Sequence, residues 1–163
     1  MLTFRKAANE DIELLSSLAR EIWTVCYPGI IANEQIEYML NLMYAQESIA
    51  QEMQDNVHWV ILESDAFPIG FLSITPSVDT IKLNKLYLKA EQQGKGFGKA
   101  GLNYVIDYAR DNHFKRVYLT VNKNNIKAIK TYEKAGFIRT ESVVNDIGGG
   151  FVMDDYIYSF EIV

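Results

Sequence analysis

The sequence predicts a single α/β domain that spans residues 1–163 and is built on a mixed, mostly antiparallel β-sheet with flanking helices. Three observations support this fold class. The chain is 48% hydrophobic, which is enough for one well-filled core, and its 163 residues are too few for two comfortable domains. Runs with the period of strands alternate with runs that have the period of helices. Short turns between the early strands indicate antiparallel pairing, whereas the later order strand, helix, strand, helix indicates parallel pairing.

The first part of the chain is predicted to form one short strand and three helices. The strand covers Leu2 to Lys6, and Asn9 and Asn33 are expected to cap the first two helices, because an Asn side chain can accept hydrogen bonds from free helical N–H groups. The third helix is short and covers residues 46–54. Apolar side chains recur on one face of the first two helices: Ile12, Leu15, Ala19 and Ile22 in the first, and Ile36, Met39, Leu40 and Met43 in the second.

The rest of the chain is predicted to supply the sheet. Its strands are expected at residues 58–63, 69–74, 80–88, 116–121, 137–144 and 151–162. The first two of these form a hairpin. A helix that begins near Gly98 should bury Leu102, Val105, Ile106 and Ala109 on one side. A last helix contains Tyr132 and is expected to end at Gly136.

A glycine-rich turn lies between the strand that ends at Leu88 and the helix that begins near Gly98: Gln93-Gly94-Lys95-Gly96-Phe97-Gly98-Lys99. The three glycines lack Cβ atoms where backbone N–H groups must curve toward a ligand, and the helix adds the positive end of its dipole. Five lysines between residues 82 and 99, against the single acid Glu91, add attraction for an anion. The turn therefore predicts a pyrophosphate site.

Two classes of ligand use such a turn, and one of them is a dinucleotide. Residues 96–101 match the G-x-G-x-x-G fingerprint, which also requires an acidic residue about 20 positions later. Here the next strand ends in Asn122-Lys123-Asn124-Asn125, without that acid, and the turn lies past the middle of the chain. Both features disfavour a dinucleotide.

The other class is coenzyme A, and here the chain resembles the GCN5-related N-acetyltransferases (GNAT). Gln93-x-x-Gly96-x-Gly98 matches the family signature Q/R-x-x-G-x-G/A. Leu86-Tyr87-Leu88 stands where the acyl-CoA-binding strand of the family ends.

A second segment, downstream, strengthens the resemblance. The family pattern N-x-x-A-x-x-x-Y-x-x-x-G-F is matched from Asn125 through Ala128 and Tyr132 to Phe137, at the expected distance after the glycine turn. Two independent motifs in the right order are more specific than either alone. The likeness is sharp over about residues 80–138 and looser elsewhere.

The resemblance implies acetyl-CoA as co-substrate and a central pair of parallel strands that splay apart to admit its pantetheine arm. It further implies a bulge near the end of the first strand of that pair. The positions that it assigns to acetyl-CoA binding are Leu86, Tyr87, Leu88, Gln93, Gly94, Lys95, Gly96, Phe97, Gly98, Lys99 and Asn125. Tyr132 matches the tyrosine that protonates or hydrogen-bonds the leaving thiolate. Some members carry a glutamate base on the strand that here offers Asn84 and Lys85, so water-relayed deprotonation is expected instead.

The implied reaction is direct attack of a primary amine on the thioester. A small molecule such as a polyamine is the favoured acceptor, because the layout resembles that of polyamine-acetylating members. The alternatives are a protein or peptide N-acetyltransferase and a non-catalytic acyl-CoA-binding sensor. Trp23, Tyr27, Tyr38 and Tyr44 are candidates either for the acceptor pocket or for the core. Asp154 and Asp155 are candidates either for attracting a cationic amine or for a solvated hairpin end.

Composition disfavours several other classes. The net charge of −5 disfavours nucleic acid and anionic membrane surfaces as partners. No apolar run approaches the roughly 20 residues of a bilayer span, and no signal sequence is evident, so the cytoplasm is the expected location. Cys26 is the single cysteine, so no internal disulfide and no metal cluster are expected.

Members of the family that the chain resembles commonly dimerise, and a homodimer is included among the expected assemblies.

Overall fold

A computed structural model describes all residues from 1 to 163 as seven strands and five α-helices. The strands are β1 (Leu2–Lys6), β2 (His58–Ser64), β3 (Phe67–Pro76), β4 (Thr80–Leu88), β5 (Arg116–Asn122), β6 (Ile138–Gly148) and β7 (Phe151–Glu161). The helices are α1 (Ile12–Cys26), α2 (Asn33–Met43), α3 (Gln46–Gln54), α4 (Phe97–Asp111) and α5 (Ile126–Lys134). None of the helices combines the length and the apolar character that a bilayer span requires.

The strands form one mixed sheet in the order β1-β2-β3-β4-β5-β7-β6, which confirms the predicted fold class. A parallel ladder joins β4 to β5, and it covers only Thr80–Leu83 and Arg116–Leu119. Both strands continue past that ladder, β4 to Leu88 and β5 to Asn122. The parallel pair is therefore joined at its beginning and not along its whole length.

The chain forms two compact units, and β4 passes from one to the other. Unit 1 comprises Met1–Ile74 and Lys85–Gly98, and unit 2 comprises Thr75–Asn84 and Lys99–Val163. The expectation of a single domain over residues 1–163 stays a prediction.

Unit 1 contains the antiparallel strands β1, β2 and β3. Its hairpin between β2 and β3 turns on two residues, Asp65 and Ala66, whose φ angles are both positive at 51° and 71°. Such a two-residue turn matches the twist of the flanking strands, and β3 consequently begins two residues earlier than predicted. The predicted apolar faces of the first two helices are largely buried, including Leu15, Ala19, Ile22, Ile36, Met39 and Leu40.

The two predicted helix caps in unit 1 are wrong. Asn9 lies inside a short 3-10 turn that precedes α1, and Asn33 is already the first residue of α2 after an uncapped Ala32. At the first site the carboxylate of Asp11 holds the turn instead, because it accepts hydrogen bonds from the Ala8 N–H at 2.8 Å and from Arg5 at 2.9 and 3.1 Å.

Unit 2 contains α4, α5 and the strands β5, β7 and β6. Alternate residues of β5 are buried, namely Val117, Leu119 and Val121. The four apolar residues predicted to face inward on α4 are also buried: Leu102, Val105, Ile106 and Ala109. Strand β6 runs four residues past its predicted end, to Gly148, so the β6–β7 hairpin is longer than the sequence suggested.

Candidate functional site

The glycine turn adopts a backbone conformation that only glycine takes easily. The φ angles of Gly94 and Gly96 are +78° and +84°, in the left-handed region. A Cβ atom built at either residue would meet nothing within 4 Å, so open space adjoins both positions. Gly94, Lys95 and Gly96 are all exposed. The turn thus presents backbone to an open surface, as an anion site requires.

Gly98 has a different role from the other two glycines. It lies in the first turn of α4, which begins at Phe97, and its φ angle is not positive. A Cβ atom there would meet Leu88 Cδ1 at 3.9 Å, which is an ordinary contact. The first N–H groups of an α-helix have no carbonyl partner within the helix, so this end of α4 leaves donors available.

Gln93 ties the glycine turn to the end of β4. Its side-chain amide donates to the carbonyl of Leu88 at 3.2 Å and contacts Cys26 Sγ at 3.3 Å. The structure therefore gives Gln93 a positioning function within unit 1. Cys26 is half-buried and serves here as an acceptor.

The end of β4 is packed closely against β3 through a glycine that the sequence analysis missed. A Cβ atom at Gly70 would overlap the carbonyl oxygen of Tyr87 and lie 3.1 Å from Leu88 Cα. Immediately afterwards, the Lys89 N–H donates to the Ile69 carbonyl at 2.9 Å. An isolated glycine inside a strand is a known sign of close backbone approach, so Gly70 could have indicated this contact from the sequence alone. The bulge expected near residues 86–88 stays a prediction.

Three of the four aromatic residues considered for an acceptor pocket are buried in the core of unit 1. Trp23 and Tyr44 are each 2% exposed and Tyr27 is 8% exposed, whereas Tyr38 is half-buried. Trp23 stacks on Tyr27 with ring centroids 4.3 Å apart, and the Tyr27 hydroxyl lies 3.0 Å from that of Tyr87. Burial raises the pKa of the Tyr44 phenol. These side chains hold the end of β4 in place by packing.

Lys85 is a buried cation in the same aromatic cluster. Its side chain is 8% exposed, and its ammonium nitrogen lies 4.9 Å from the centre of the Trp59 ring and 5.4 Å from that of Tyr44. Glu52 provides a carboxylate at 3.5 Å. The lysine is thus compensated by two aromatic faces and one anion.

In unit 2, Asn125 immediately precedes α5, and Tyr132 lies on that helix. The Asn125 side chain accepts a hydrogen bond from the Ala128 N–H at 3.3 Å and caps α5. Tyr132 is half-buried, and its ring centroid lies 6.1 Å from that of Phe137. Gly136, with φ of +97°, follows the helix end, as expected from the sequence.

The predicted site residues belong to both units. Those from Leu86 to Gly98 belong to unit 1, and Lys99, Asn125 and Tyr132 belong to unit 2. Lys99 is exposed on the first turn of α4.

Asp154 and Asp155 have contrasting environments. The side chain of Asp154 is 53% exposed and pairs with Lys123 at 2.6 Å, so Asp154 lies at the solvated surface. Asp155 is only 2% exposed, and it lies opposite Asn122 in the β5–β7 ladder. Burial, followed by the charge on Asp154, raises the pKa of Asp155 to about 6, against the opposing influence of Lys82 and Lys123. The structure groups no three His, Cys, Asp or Glu side chains in a way that could hold a metal ion.

Comparisons with known proteins agree with the two motifs. Residues 17–137 match the model of the acetyltransferase (GNAT) family. A spermidine N(1)-acetyltransferase of Thermoplasma acidophilum is 30% identical over 158 residues, which cover 94% of this chain and 96% of that protein.

Solved structures show the same fold. The crystal structure of the PaiA N-acetyltransferase of Thermoplasma acidophilum in complex with coenzyme A superposes with a TM-score of 0.81, at 26% identity and with 99% of each chain covered. A spermidine N-acetyltransferase of Vibrio cholerae, in complex with CoA and spermine, superposes with a TM-score of 0.74 over 99% of this chain and 95% of that one. At 17% identity this second likeness concerns the fold alone. The family match over most of the sequence and the near full-length relative together show that this chain belongs to the GNAT family of N-acetyltransferases, whose acyl donor is acetyl-CoA.

Proposed function

We propose that this enzyme acetylates a primary amine of a small polyamine. The observation that carries the choice of acceptor is the 30% identity, over nearly the whole chain, to a spermidine N(1)-acetyltransferase. The net charge of −5 also favours a polyamine, because a negatively charged protein attracts a cationic acceptor. A location in the cytoplasm and a homodimeric assembly stay predictions of the sequence.

The acetyl-CoA site is proposed to extend from the end of β4 to the start of α4. Backbone N–H groups of residues 93–99 would bind the diphosphate, supported by the open space beside Gly94 and Gly96. Lys95 and Lys99 are exposed cations on the same segment. Backbone groups of Leu86, Tyr87 and Leu88 would bind the pantetheine arm, since β4 continues to Leu88 beyond its last pair with β5. Asn125 is proposed to contact the same arm in addition to capping α5.

Tyr132 is proposed to supply the proton that the leaving thiolate needs. Attack of a neutral amine on the thioester carbon places negative charge first on oxygen and then on sulfur. A phenol beside the sulfur can donate to it, and the half-buried position of Tyr132 on a capped helix would hold that phenol in place.

Thiol release from acetyl-CoA, measured with a panel of polyamines, amino acids and peptides, tests the proposed reaction. Polyamines are expected to give the highest kcat/KM. A preference for peptides would refute the polyamine acceptor, and binding of acetyl-CoA without thiol release for any amine would favour the sensor alternative.

The variant Tyr132→Phe tests the proton donor. It is expected to lower kcat by about a hundredfold or more, the range for general acid catalysis, with unchanged affinity for coenzyme A in calorimetry. Tyr108→Phe, near the far end of α4, is the control and should retain full turnover. Unchanged kcat of Tyr132→Phe at saturating substrate would show that the phenol does not protonate the thiolate.

A further inference from the structure

The C-terminal end of α1 contacts the last part of β4 through a pair of tyrosines. The hydroxyl groups of Tyr27 and Tyr87 lie 3.0 Å apart, so one of them donates a hydrogen bond to the other. The ring centroid of Tyr87 lies 5.7 Å from that of Trp23 and 6.1 Å from that of Tyr27. Tyr27 is 8% exposed, which excludes most of the water that would compete for the hydrogen bond.

Two more contacts join the same end of α1 to the residues that follow β4. Cys26 Sγ lies 3.3 Å from the side-chain amide of Gln93, which also donates to the Leu88 carbonyl. Glu21 pairs with Lys89 at 3.4 Å, although the exposure of Glu21 makes this ion pair a weak contribution. Residues 87, 89 and 93 are therefore all in contact with the end of one helix.

The segment that α1 contacts has little regular structure of its own. Between β4 and α4 it forms only a short 3-10 turn, Ala90–Gln92, and residues 94–96 are exposed. Helix α1, in contrast, is anchored in the core of unit 1, where Leu15 and Ala19 are fully buried. Because exposed backbone with few buried contacts opens easily, the contacts with α1 help to fix the conformation of this segment.

We propose that Tyr27 is a positioning residue for coenzyme A, a role that rests on the coenzyme site proposed above. Its hydroxyl group holds Tyr87, and with it the backbone of residues 86–88, where the pantetheine arm would bind. Coenzyme A must contact this backbone and the glycine turn at the same time. When the backbone spends part of its time outside the binding conformation, the affinity falls in proportion to the fraction of molecules that remain in it.

Tyr44 shows that the hydroxyl group, and not the ring, distinguishes Tyr27. Both rings pack on Trp23, with centroid distances of 5.5 Å for Tyr44 and 4.3 Å for Tyr27, and both side chains are buried. The Tyr44 hydroxyl forms no hydrogen bond with β4, whereas the Tyr27 hydroxyl does. Phenylalanine at either position keeps the packing and removes the same group, so only the change at residue 27 releases the end of β4.

The variant Tyr27→Phe tests the proposal, with Tyr44→Phe as its matched control. Loss of one ordinary hydrogen bond is expected to weaken the binding of coenzyme A by about two- to tenfold in calorimetry, and the KM for acetyl-CoA should rise by the same factor. The kcat at saturating substrates and the KM for the amine should stay within about twofold of wild type, as should the coenzyme affinity of Tyr44→Phe. A purely structural role of Tyr27 would lower the unfolding temperature and leave the coenzyme affinity of the folded variant unchanged.

A double-mutant cycle tests whether Tyr87 is the partner through which Tyr27 acts. Tyr87→Phe removes the same hydrogen bond from the side of β4 and should weaken binding by a similar factor, and the double variant should bind no more weakly than either single variant. Single effects that multiply in the double variant would overturn the proposal, because the two hydroxyl groups would then act separately. A loss of affinity below about twofold in Tyr27→Phe, or an equal loss in Tyr44→Phe, would also overturn it. If Tyr27→Phe does not fold, unchanged affinity of Tyr87→Phe decides against the proposal.

The coenzyme site itself is tested by a different variant. Gly96→Val that binds coenzyme A as tightly as wild type would refute the site on which the role of Tyr27 rests. Weaker binding by Gly96→Val, together with wild-type affinity of Tyr27→Phe, would refute only the positioning role.

Discussion

A substitution at Gly96 can be tested separately for its effect on the stability of the protein and for its effect on the binding of coenzyme A. Its φ angle is +84°, and a Cβ atom there would meet nothing within 4 Å. Gly150, in the turn between β6 and β7, matches it closely, with φ of +80° and the same open surroundings. Alanine at either position suffers similar backbone strain, but only residue 96 belongs to the proposed diphosphate site.

The expected magnitudes follow from this geometry. An alanine in the left-handed region costs about 1–2 kcal/mol, so both variants should lose a similar free energy of unfolding. Only at residue 96 does the new methyl group enter the space proposed for the diphosphate, where it should displace one backbone hydrogen bond. A hydrogen bond to a charged group contributes about 1.5–3 kcal/mol, which corresponds to roughly ten- to hundredfold weaker binding of coenzyme A. The larger Gly96→Val should weaken binding further.

Urea unfolding without ligand and calorimetric titration with coenzyme A measure the two effects. Both alanine variants should unfold at similarly lower urea concentrations, and only Gly96→Ala should bind coenzyme A more weakly. Equal affinity of the two folded variants would refute the proposal that the backbone at residue 96 binds the diphosphate.

Two further predictions concern stability. Gly70→Ala should lower the free energy of unfolding by about 1–3 kcal/mol, because the new Cβ atom overlaps the Tyr87 carbonyl; urea unfolding equal to wild type would contradict this close approach. Asp11→Asn should lower it by about 1–2 kcal/mol at pH 7, because the Arg5 hydrogen bond holds the pKa of Asp11 below its ordinary 3.8. The stabilisation by ionised Asp11 is complete at pH values above the ordinary pKa of 3.8 and is lost as pH falls through the lowered pKa of the folded state. The difference in stability between Asp11→Asn and wild type should therefore shrink below about pH 4. A difference that persisted there would contradict this assignment to the Asp11 charge.

Most elements could be predicted because their signals are local. The apolar period of α4 and the stop at Gly136 each depend on residues within one or two turns, and the structure confirms both. The caps at Asn9 and Asn33 were wrong although the residue type was suitable, because the exact first turn of a helix depends on contacts made elsewhere. Asp11, for example, is held by Arg5 from β1.

In the candidate site, too, the features with local signals could be predicted, whereas those that depend on long-range contacts could not. Residue types and spacing alone were enough to specify the glycine turn and the Asn125 to Phe137 motif, since φ preferences and motif positions are properties of neighbouring residues. Only the folded chain decided that Trp23 and Tyr44 belong to a core, that Gly70 touches β4, and that Asp155 is buried. Burial depends on which strands pair and for how long, and those pairings join residues far apart in the chain.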